Sequence, residues 1–508
     1  MDVPVNKTGD LSPLRAATWF WTIAGTYAAI WILLPTLLHT GYRGDVIEVQ
    51  NIGPEWVWAS KRHPMLPAWI LEILNFFTCR SFAVPFIATQ LCTLTALWSV
   101  WRLGRMVLRE RLALVGAFSV LPYLFFACKP IWYNQNNVLI AFWCLSICLT
   151  AQAFQTNKIR YWAGAGIALG LALHAKYSAV FLVMSILVYM IMRKAGRKYF
   201  RTYGPYVTTL IAFLIFLPHI VWLFYNDFVT LSHVANRSEI ALLGWFAPLY
   251  FAGSQLLYLP CTLIILTPVI GFIGKWKIQY HEQNHANECE KFLFYCFMIP
   301  LAFHMLYAGI KGTGLRLEYG AAFWSFAGLW LLLRFQEISR HETRKSLRGF
   351  RQAVALMTAI VLFNAIGFAA QFYLGKQHPD LYRPTHRLGV ECDRIWHTRY
   401  PNVHCPYIAG AVDTTNAVDI LVGHAAHAMS VRPSVIATYG TWANDDDLNR
   451  AGGMLIWEKD DDGSDLPVCL RQRFPTAEVL PESPELPFKM GKTVHVLKIG
   501  VAVVPPPQ

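Results

Sequence analysis

A chain of 508 residues that is 55% hydrophobic and only 15% charged lies well below the roughly one-quarter charged content of soluble domains, which excludes a wholly soluble protein. Its formal charge of +13 is concentrated in short Lys/Arg loops between apolar runs. That is the pattern of cytoplasmic loops in a membrane protein, and it argues against nucleic acid as a partner.

Uncharged apolar runs of about 18 residues or more mark membrane spans. The first is expected from about Ala16 to His39, and with a polar stretch before it and no small-residue cleavage site it reads as a span rather than a signal peptide. A loop follows, and the second span is Ser81 to Trp101. The basic loop Arg102 to Arg111 puts the end of that hairpin in the cytoplasm. Residues 40–80 therefore face the other side, the periplasm or its equivalent. Spans three and four are expected at Leu112 to Cys128 and Val138 to Phe154, joined by KPIWYNQNN.

Tyr161 to Met192 is apolar except for His174 and Lys176 and has basic loops at both ends, so an even number of crossings is required. Two crossings in 32 residues leave about 22 Å of helix each, short of the ~30 Å hydrocarbon core. They are expected to meet at HAKYS (His174 to Ser178), an irregular turn tolerated at that depth only beside a protein cavity. Spans seven to eleven are expected at Pro205 to Tyr225, Phe246 to Ile273, Phe292 to Ile310, Tyr319 to Leu333 and Ala353 to Leu374. The count is about eleven, with the N-terminus inside and the C-terminus outside.

From Gly375 the composition becomes that of a soluble domain. Strands are expected at Tyr407 to Gly410, Ser434 to Thr438, Gly453 to Trp457 and Val494 to Val504, with an amphipathic helix at Thr414 to Met429, an α/β alternation. Two domains follow: residues 1–374 in the membrane and 375–508 outside it. The acidic runs Asn444 to Asp447 and Asp460 to Asp465 read as solvated loops, since neither has the alternating acids and terminal Glu of a calcium loop. Of the 11 Cys, none falls in a CxxC metal pattern. An oxidising compartment would allow two of Cys392, Cys405 and Cys469 to pair.

The chemistry gathers in DVIEVQNIGPEWVWASKRHPMLPAWI, Asp45 to Ile70. Asp45 and Glu48 share a face if the loop begins as a helix, and a carboxylate there suits a general base taking a proton from an acceptor hydroxyl. Lys61, Arg62 and His63, held by Pro64 and Pro67 and flanked by Trp58 and Trp69, suit a phosphate at the headgroup level. An acid that activates an acceptor and cations that stabilise a departing phosphate serve one reaction. The bland readings are a solvated helix start for the acids and snorkelling for the cations.

The order D-x-x-E, a Trp-rich gap, then a basic residue with HP-x-L-x-x-W resembles the first periplasmic loop of GT-C class glycosyltransferases. These form the dolichyl-phosphate-mannose protein mannosyltransferase superfamily, families 39 and 83, with the bacterial aminoarabinose and galacturonosyl transferases of lipid A and lipopolysaccharide. GLALHAKYSAV, YNQNN, WLFYNDF and the Arg of RSE resemble theirs in the same order, so the likeness covers Gly41 to Glu239. It implies an all-α polytopic GT-C fold with a small C-terminal α/β extracytoplasmic domain, in a bacterial inner membrane.

The activity implied is inverting transfer of a sugar from a polyprenyl-phosphate donor to lipid A, a lipopolysaccharide core, another glycolipid or a protein. By the same likeness Asp45 is the catalytic base, Glu48 helps position the acceptor, and Arg62 and His63 hold the donor phosphate, with Lys61 beside them and Lys176 reaching the same group. Asn136, Asn137, His174, Tyr177, Arg237, Arg316 and Glu318 are possible substrate-binding residues. The relatives often carry an acid where Asn136 and Asn137 stand, so no ligand motif supports a divalent metal. The competing reading is a transporter or lipid flippase. It predicts internal repeats and mid-membrane charges, whereas these spans are nearly free of Asp, Glu, Lys and Arg and show no repeat.

Overall fold

The computed structural model describes residues 11–123, 126, 129–236, 244–270, 284–335, 344–410, 434–436, 443–459 and 465–507. Some of its helices start at side-chain caps. Helix α1 (Pro13–Leu38) opens with Pro13 in its first turn, and the Ser12 side chain accepts the Arg15 N–H at 3.4 Å. Two short helices then occupy the first loop, α2 (Gly44–Ile52) and α3 (Leu66–Phe77), before α4 (Val84–Val107). The latter begins beside Pro85, whose missing N–H costs nothing in a first turn.

The next helix, α5 (Glu110–Phe118), has 9 residues and does not make the continuous third span expected at Leu112 to Cys128. The backbone leaves it through turns in which Leu121 N–H bonds to Phe118 O and Tyr123 N–H to Val120 O. Pro122 cannot donate to a continuing helix, and its ring crowds the preceding turn. Helix α6 (Gln135–Thr156) resumes with a capping box between Asn134 and Asn137.

The expected break at HAKYS is present. Helix α7 (Ile159–Ala175) stops at Lys176, which is extended at φ −163°, and a 3-10 turn (Tyr177–Ala179) leads into α8 (Val180–Met192). After α9 (Lys194–Arg197), helix α10 (Gly204–Tyr225) packs on α7 at close range. A Cβ on Gly166 would lie 2.7 Å from the Thr208 carbonyl oxygen, and one on Gly170 would lie 2.8 Å from the Ile215 side chain. Small residues four apart let helix backbones approach where no hydrophobic effect drives association. The Thr208 hydroxyl also donates to Trp162 O at 2.7 Å.

The bundle continues with α11 (Val229–Asn236), α12 (Ala247–Gln255), α13 (Leu259–Ile270), α14 (Asn284–Lys311), α15 (Ala327–Phe335) and α16 (Arg344–Tyr373). Among the described residues, 7 helices are long and apolar enough to cross a membrane, and the pair Tyr177–Met192 and Lys194–Arg201 is bent by 100°. The remaining expected spans fall on shorter pieces: α5, the two halves around HAKYS, and 3-10 turns running into α15. Helices α10 and α16 leave Leu214, Phe224, Phe363 and Ile366 exposed, as lipid-facing helices do. In chain order, basic stretches follow α4, α6, α8 and α15.

Beyond α16, α17 (Thr385–Arg399) precedes a sheet of 6 strands in the order β2-β1-β3-β6-β4, with β5 also on β6. The strands are β1 (Tyr407–Gly410), β2 (Ser434–Ile436), β3 (Gly453–Glu458), β4 (Glu478–Val479), β5 (Glu485–Met490) and β6 (Thr493–Val504). β1 pairs in parallel with β2 and β3, while β6 runs antiparallel to β3, from Gly453↔Val504 to Glu458↔Ile499. Both faces are apolar: Ile456, Val501 and Trp396 lie in one cluster, Leu455, Trp457 and Phe474 in the other. The expected strands at 407, 434, 453 and 494 are present, except that residues 437 and 438 lie outside the described residues, as do the helix at 414–429 and most of the acidic run 460–465. The other acidic run is not a loop but a helix start, capped by Asn444 and Asp447, with Asp445 bonded to Arg473 at 2.6 and 2.7 Å. The three tail cysteines are free thiols. Burial pushes the Cys405 thiol up to about 12 and raises that of Cys392 as well.

The tail begins by docking on the first loop. Thr40 and Gly41 both donate N–H groups to Leu381 O, at 3.1 and 3.3 Å, and Thr385 returns a hydroxyl to Thr40 O at 2.9 Å. Gly41 permits the approach, because a Cβ there would lie 2.1 Å from the Asp380 carbonyl oxygen and 2.9 Å from that of Arg383. Gly41→Ala is therefore expected to destabilise the protein by about 1–3 kcal/mol, the usual cost of overpacking. The check is the thermal midpoint of purified protein, and an unchanged midpoint would show that the seam opens freely.

Candidate active site

The first loop folds as helix, turn, helix. Asp45 and Glu48 lie on α2, so the expected helical start is present. KRHP forms a tight turn: Ser60 N–H donates to His63 O at 3.0 Å, and Ser60 Oγ accepts the N–H groups of Arg62 (3.1 Å) and His63 (3.2 Å). Ala59 and Pro64 close it with a β-bridge. Lys61 is exposed at its tip, with Arg62 and His63 half-buried. Arg62 donates to Glu48 Oε2 at 3.2 Å, so the second acid of the loop holds the second cation of the turn.

The turn is held from outside the loop. Thr230 donates its hydroxyl to Ser60 O at 3.1 Å, and His219 Nδ1 meets Trp58 O at 3.4 Å. A carbonyl only accepts, so that nitrogen carries the proton and Nε2 accepts the Tyr177 hydroxyl at 2.7 Å. His174 is buried and its Nε2 meets Ile215 O at 2.9 Å, fastening α7 to α10. Its ring also faces those of Trp58 and Trp69, with centroids 6.1 and 5.8 Å away.

The segment Lys129 to Asn137 lies against this loop. Asn134 donates through Nδ2 to Asp45 Oδ2 at 3.0 Å, while its Oδ1 accepts the Asn136 N–H at 2.9 Å. Asn136 Oδ1 accepts from Lys176 Nζ at 2.8 Å. Asn137 is buried and returns its side chain to the Asn134 N–H at 3.3 Å, so its role is to close the cap of α6. Lys176 also lies over the Tyr319 ring, 4.4 Å from its centroid. Arg43 and Lys129 lie over the Trp132 ring at 3.9 and 4.2 Å, and Lys129 forms an ion pair with Glu318. Burial pulls the Arg43 guanidinium below its ordinary value, and the nearby Asp45 and Asp380 carboxylates oppose that shift.

Of the residues singled out from the sequence, Asp45, Asn136 and Lys176 are linked by this chain of bonds. Glu48 and Arg62 form the adjoining pair, and Tyr177 and His174 sit behind the turn. Arg316 is exposed at the start of the turn that carries Glu318. Arg237 lies outside the described residues. Sequence reasoning missed Asn134, Arg43, Trp132, Lys129, His219 and Thr230. The capping signature N-x-x-N before an apolar run was available for Asn134, but nothing local connects it to Asp45. Among the described residues no three His, Cys, Asp or Glu side chains converge as a metal-ligand group, and the amides of Asn134, Asn136 and Asn137 are poor substitutes for carboxylate ligands, so no step is assigned to a metal.

The helices form a bundle with a short-helix first loop, a broken hairpin packed against that loop and a small terminal sheet. Residues 62–222 match the family model described as dolichyl-phosphate-mannose-protein mannosyltransferase, which begins just after Asp45 and Glu48. The chain is similar in fold to the crystal structure of ArnT from Cupriavidus metallidurans bound to undecaprenyl phosphate. That likeness has a TM-score of 0.54 at 10% identity and covers 98% of this chain and 100% of that one. The apo state of the same protein matches with a TM-score of 0.50, also at 10% identity, covering 97% of this chain and all of that one. No curated protein matches the chain by sequence. The chain is thus a multi-pass membrane protein with a GT-C fold, and about a third of it is similar to a mannosyltransferase family.

Proposed function

We propose that this protein transfers a sugar from a polyprenyl-phosphate carrier to a hydroxyl or amine of an envelope acceptor, with inversion at the anomeric carbon. The observation that carries the reading is the link from acid to cation: Asp45 to Asn134, through the cap of α6, to Asn136 and Lys176. The Asp45 carboxylate takes the acceptor proton as the acceptor oxygen or nitrogen bonds to the anomeric carbon. The bond from that carbon to the phosphate oxygen breaks, and the electron pair leaves with the lipid phosphate. Lys176, Arg62, His63 and Lys61 stabilise the charge that develops there. The second acid, Glu48, keeps Arg62 in the turn and is near enough along α2 to help place the acceptor.

A lipid-linked donor suits a site built on the first loop at the ends of apolar helices. The basic stretches that follow α4, α6 and α8 in the chain support an orientation with the site outside the cytoplasm, in a bacterial inner membrane. The acceptor class that fits is lipid A, a lipopolysaccharide core, another glycolipid or a protein, with the 375–508 domain helping to select it. Mass spectrometry of envelope lipids and proteins from cells with and without the gene tests the reading. A mass difference equal to one sugar residue is expected on one envelope component, and identical envelopes would overturn it.

A further inference from the structure

The segment 129–136 touches the candidate site from one side at four successive points. Lys129 reaches Glu318, Trp132 lies under Arg43, Asn134 reaches Asp45 and Asn136 reaches Lys176. It is itself anchored, since Gln90 donates to Pro130 O at 2.8 Å and Tyr133 donates to Pro67 O at 2.9 Å. The two asparagine amides have determined orientations. A carboxylate only accepts, so Nδ2 of Asn134 must face Asp45, and an ammonium only donates, so Oδ1 of Asn136 must face Lys176. Asn134 is 3% exposed, and both polar atoms of its amide are occupied.

We propose that Asn134 and Asn136 are positioning residues, one for the base and one for the donor-phosphate cation, and that the capped N-terminus of α6 sets the spacing between acid and cation. This rests on the reading of Asp45 as base and Lys176 as phosphate ligand. Asn134 holds one carboxylate oxygen of Asp45 by a neutral donor, leaving the other to face the acceptor. Asn136 holds the Lys176 ammonium by a neutral acceptor, which directs it without cancelling its charge. A carboxylate at either position would keep the shape and reverse that effect.

The test is a pair of isosteric changes that spare the helix. Asp is as good an N-cap as Asn, and an acid in the first turn suits the helix dipole, so N136D is expected to keep the wild-type melting temperature, while N134D is expected to fold but melt lower because two carboxylates then lie side by side. N134D removes the donor to Asp45 and sets a like charge beside it. Transfer is expected to fall on the order of tenfold to a hundredfold, as when groups supporting a reactive centre are lost, with affinity for undecaprenyl phosphate unchanged. N136D pairs the Lys176 charge, so affinity for undecaprenyl phosphate is expected to fall about tenfold.

Binding is read on purified protein with undecaprenyl phosphate as the probe. Transfer is read by mass spectrometry in membranes supplied with a lipid extract containing sugar-loaded polyprenyl phosphate. N134S, which keeps a capping oxygen but lacks the reach to Asp45, replaces N134D if that variant is not recovered folded, and the same loss of transfer is expected. Wild-type transfer by N134D, or an equal loss of undecaprenyl phosphate binding in both variants, would overturn the proposal. D45N and K176M run alongside keep the two levels apart. If they are also silent, the reading of the site fails. If they fail while N134D and N136D behave as wild type, only the positioning role does.

Discussion

Asp45→Asn is expected to lower the rate of sugar transfer by about 10²–10⁴-fold, the usual contribution of a positioned general base, while the protein still inserts and folds. The amide keeps the size of the carboxylate and offers an oxygen to Asn134 Nδ2, which now lies 3.0 Å from Asp45 Oδ2. What it loses is the ability to take a proton. The cost to α2 is the loss of one acid from its first turn, about 0.3–1 kcal/mol at an exposed helix start. That is too little to unfold a bundle of this size. Measuring transfer and melting temperature on the same preparation separates the two effects. Wild-type transfer by D45N would rule out the proton-transfer role.

Lys176→Met is expected to weaken binding of undecaprenyl phosphate by roughly ten- to a hundredfold. A hydrogen bond to a charged group contributes about 1.5–3 kcal/mol, and 1.4 kcal/mol is a factor of ten in affinity. Met preserves most of the apolar stem but has neither the charge nor the donor that reaches Asn136 Oδ1 at 2.8 Å. Equilibrium binding in detergent micelles checks it. Unchanged affinity would remove Lys176 from the donor site and leave it as a residue that seals the break against Tyr319. Lys176→Arg is expected to restore binding only in part, because a planar fork does not reproduce a compact ammonium.

The HAKYS break was legible because it follows from arithmetic. Basic loops at both ends of Tyr161 to Met192 demand two crossings, and the residues available are too few for two full spans. The third span was misread because hydropathy counts apolar residues and does not register that Pro122 stops a helix. The α2 start was legible from the spacing of Asp45 and Glu48, and so were the strands at 407, 434, 453 and 494, whereas β4 and β5 were not expected. Gly166 and Gly170 were also open to a sequence reading, since two glycines four apart in an apolar run mark a close helix crossing.

The grouping of side chains was not legible. Asp45 and Asn134 are 89 positions apart, Asn136 and Lys176 are 40 apart, and Thr40 and Thr385 are 345 apart. Nothing local distinguishes an asparagine that caps a helix from one that caps a helix and also holds a distant carboxylate. Composition, charge distribution and motif order determined the membrane class and the residue types available for chemistry, because those depend on properties summed over short stretches. Only the tertiary structure decided that Glu48 holds Arg62, that the YNQNN amides join the acid to the cation and that the tail docks on Gly41. The first is a contact within one folded loop, and the other two exist because segments far apart in the chain pack together, so packing, not local sequence, sets the distances.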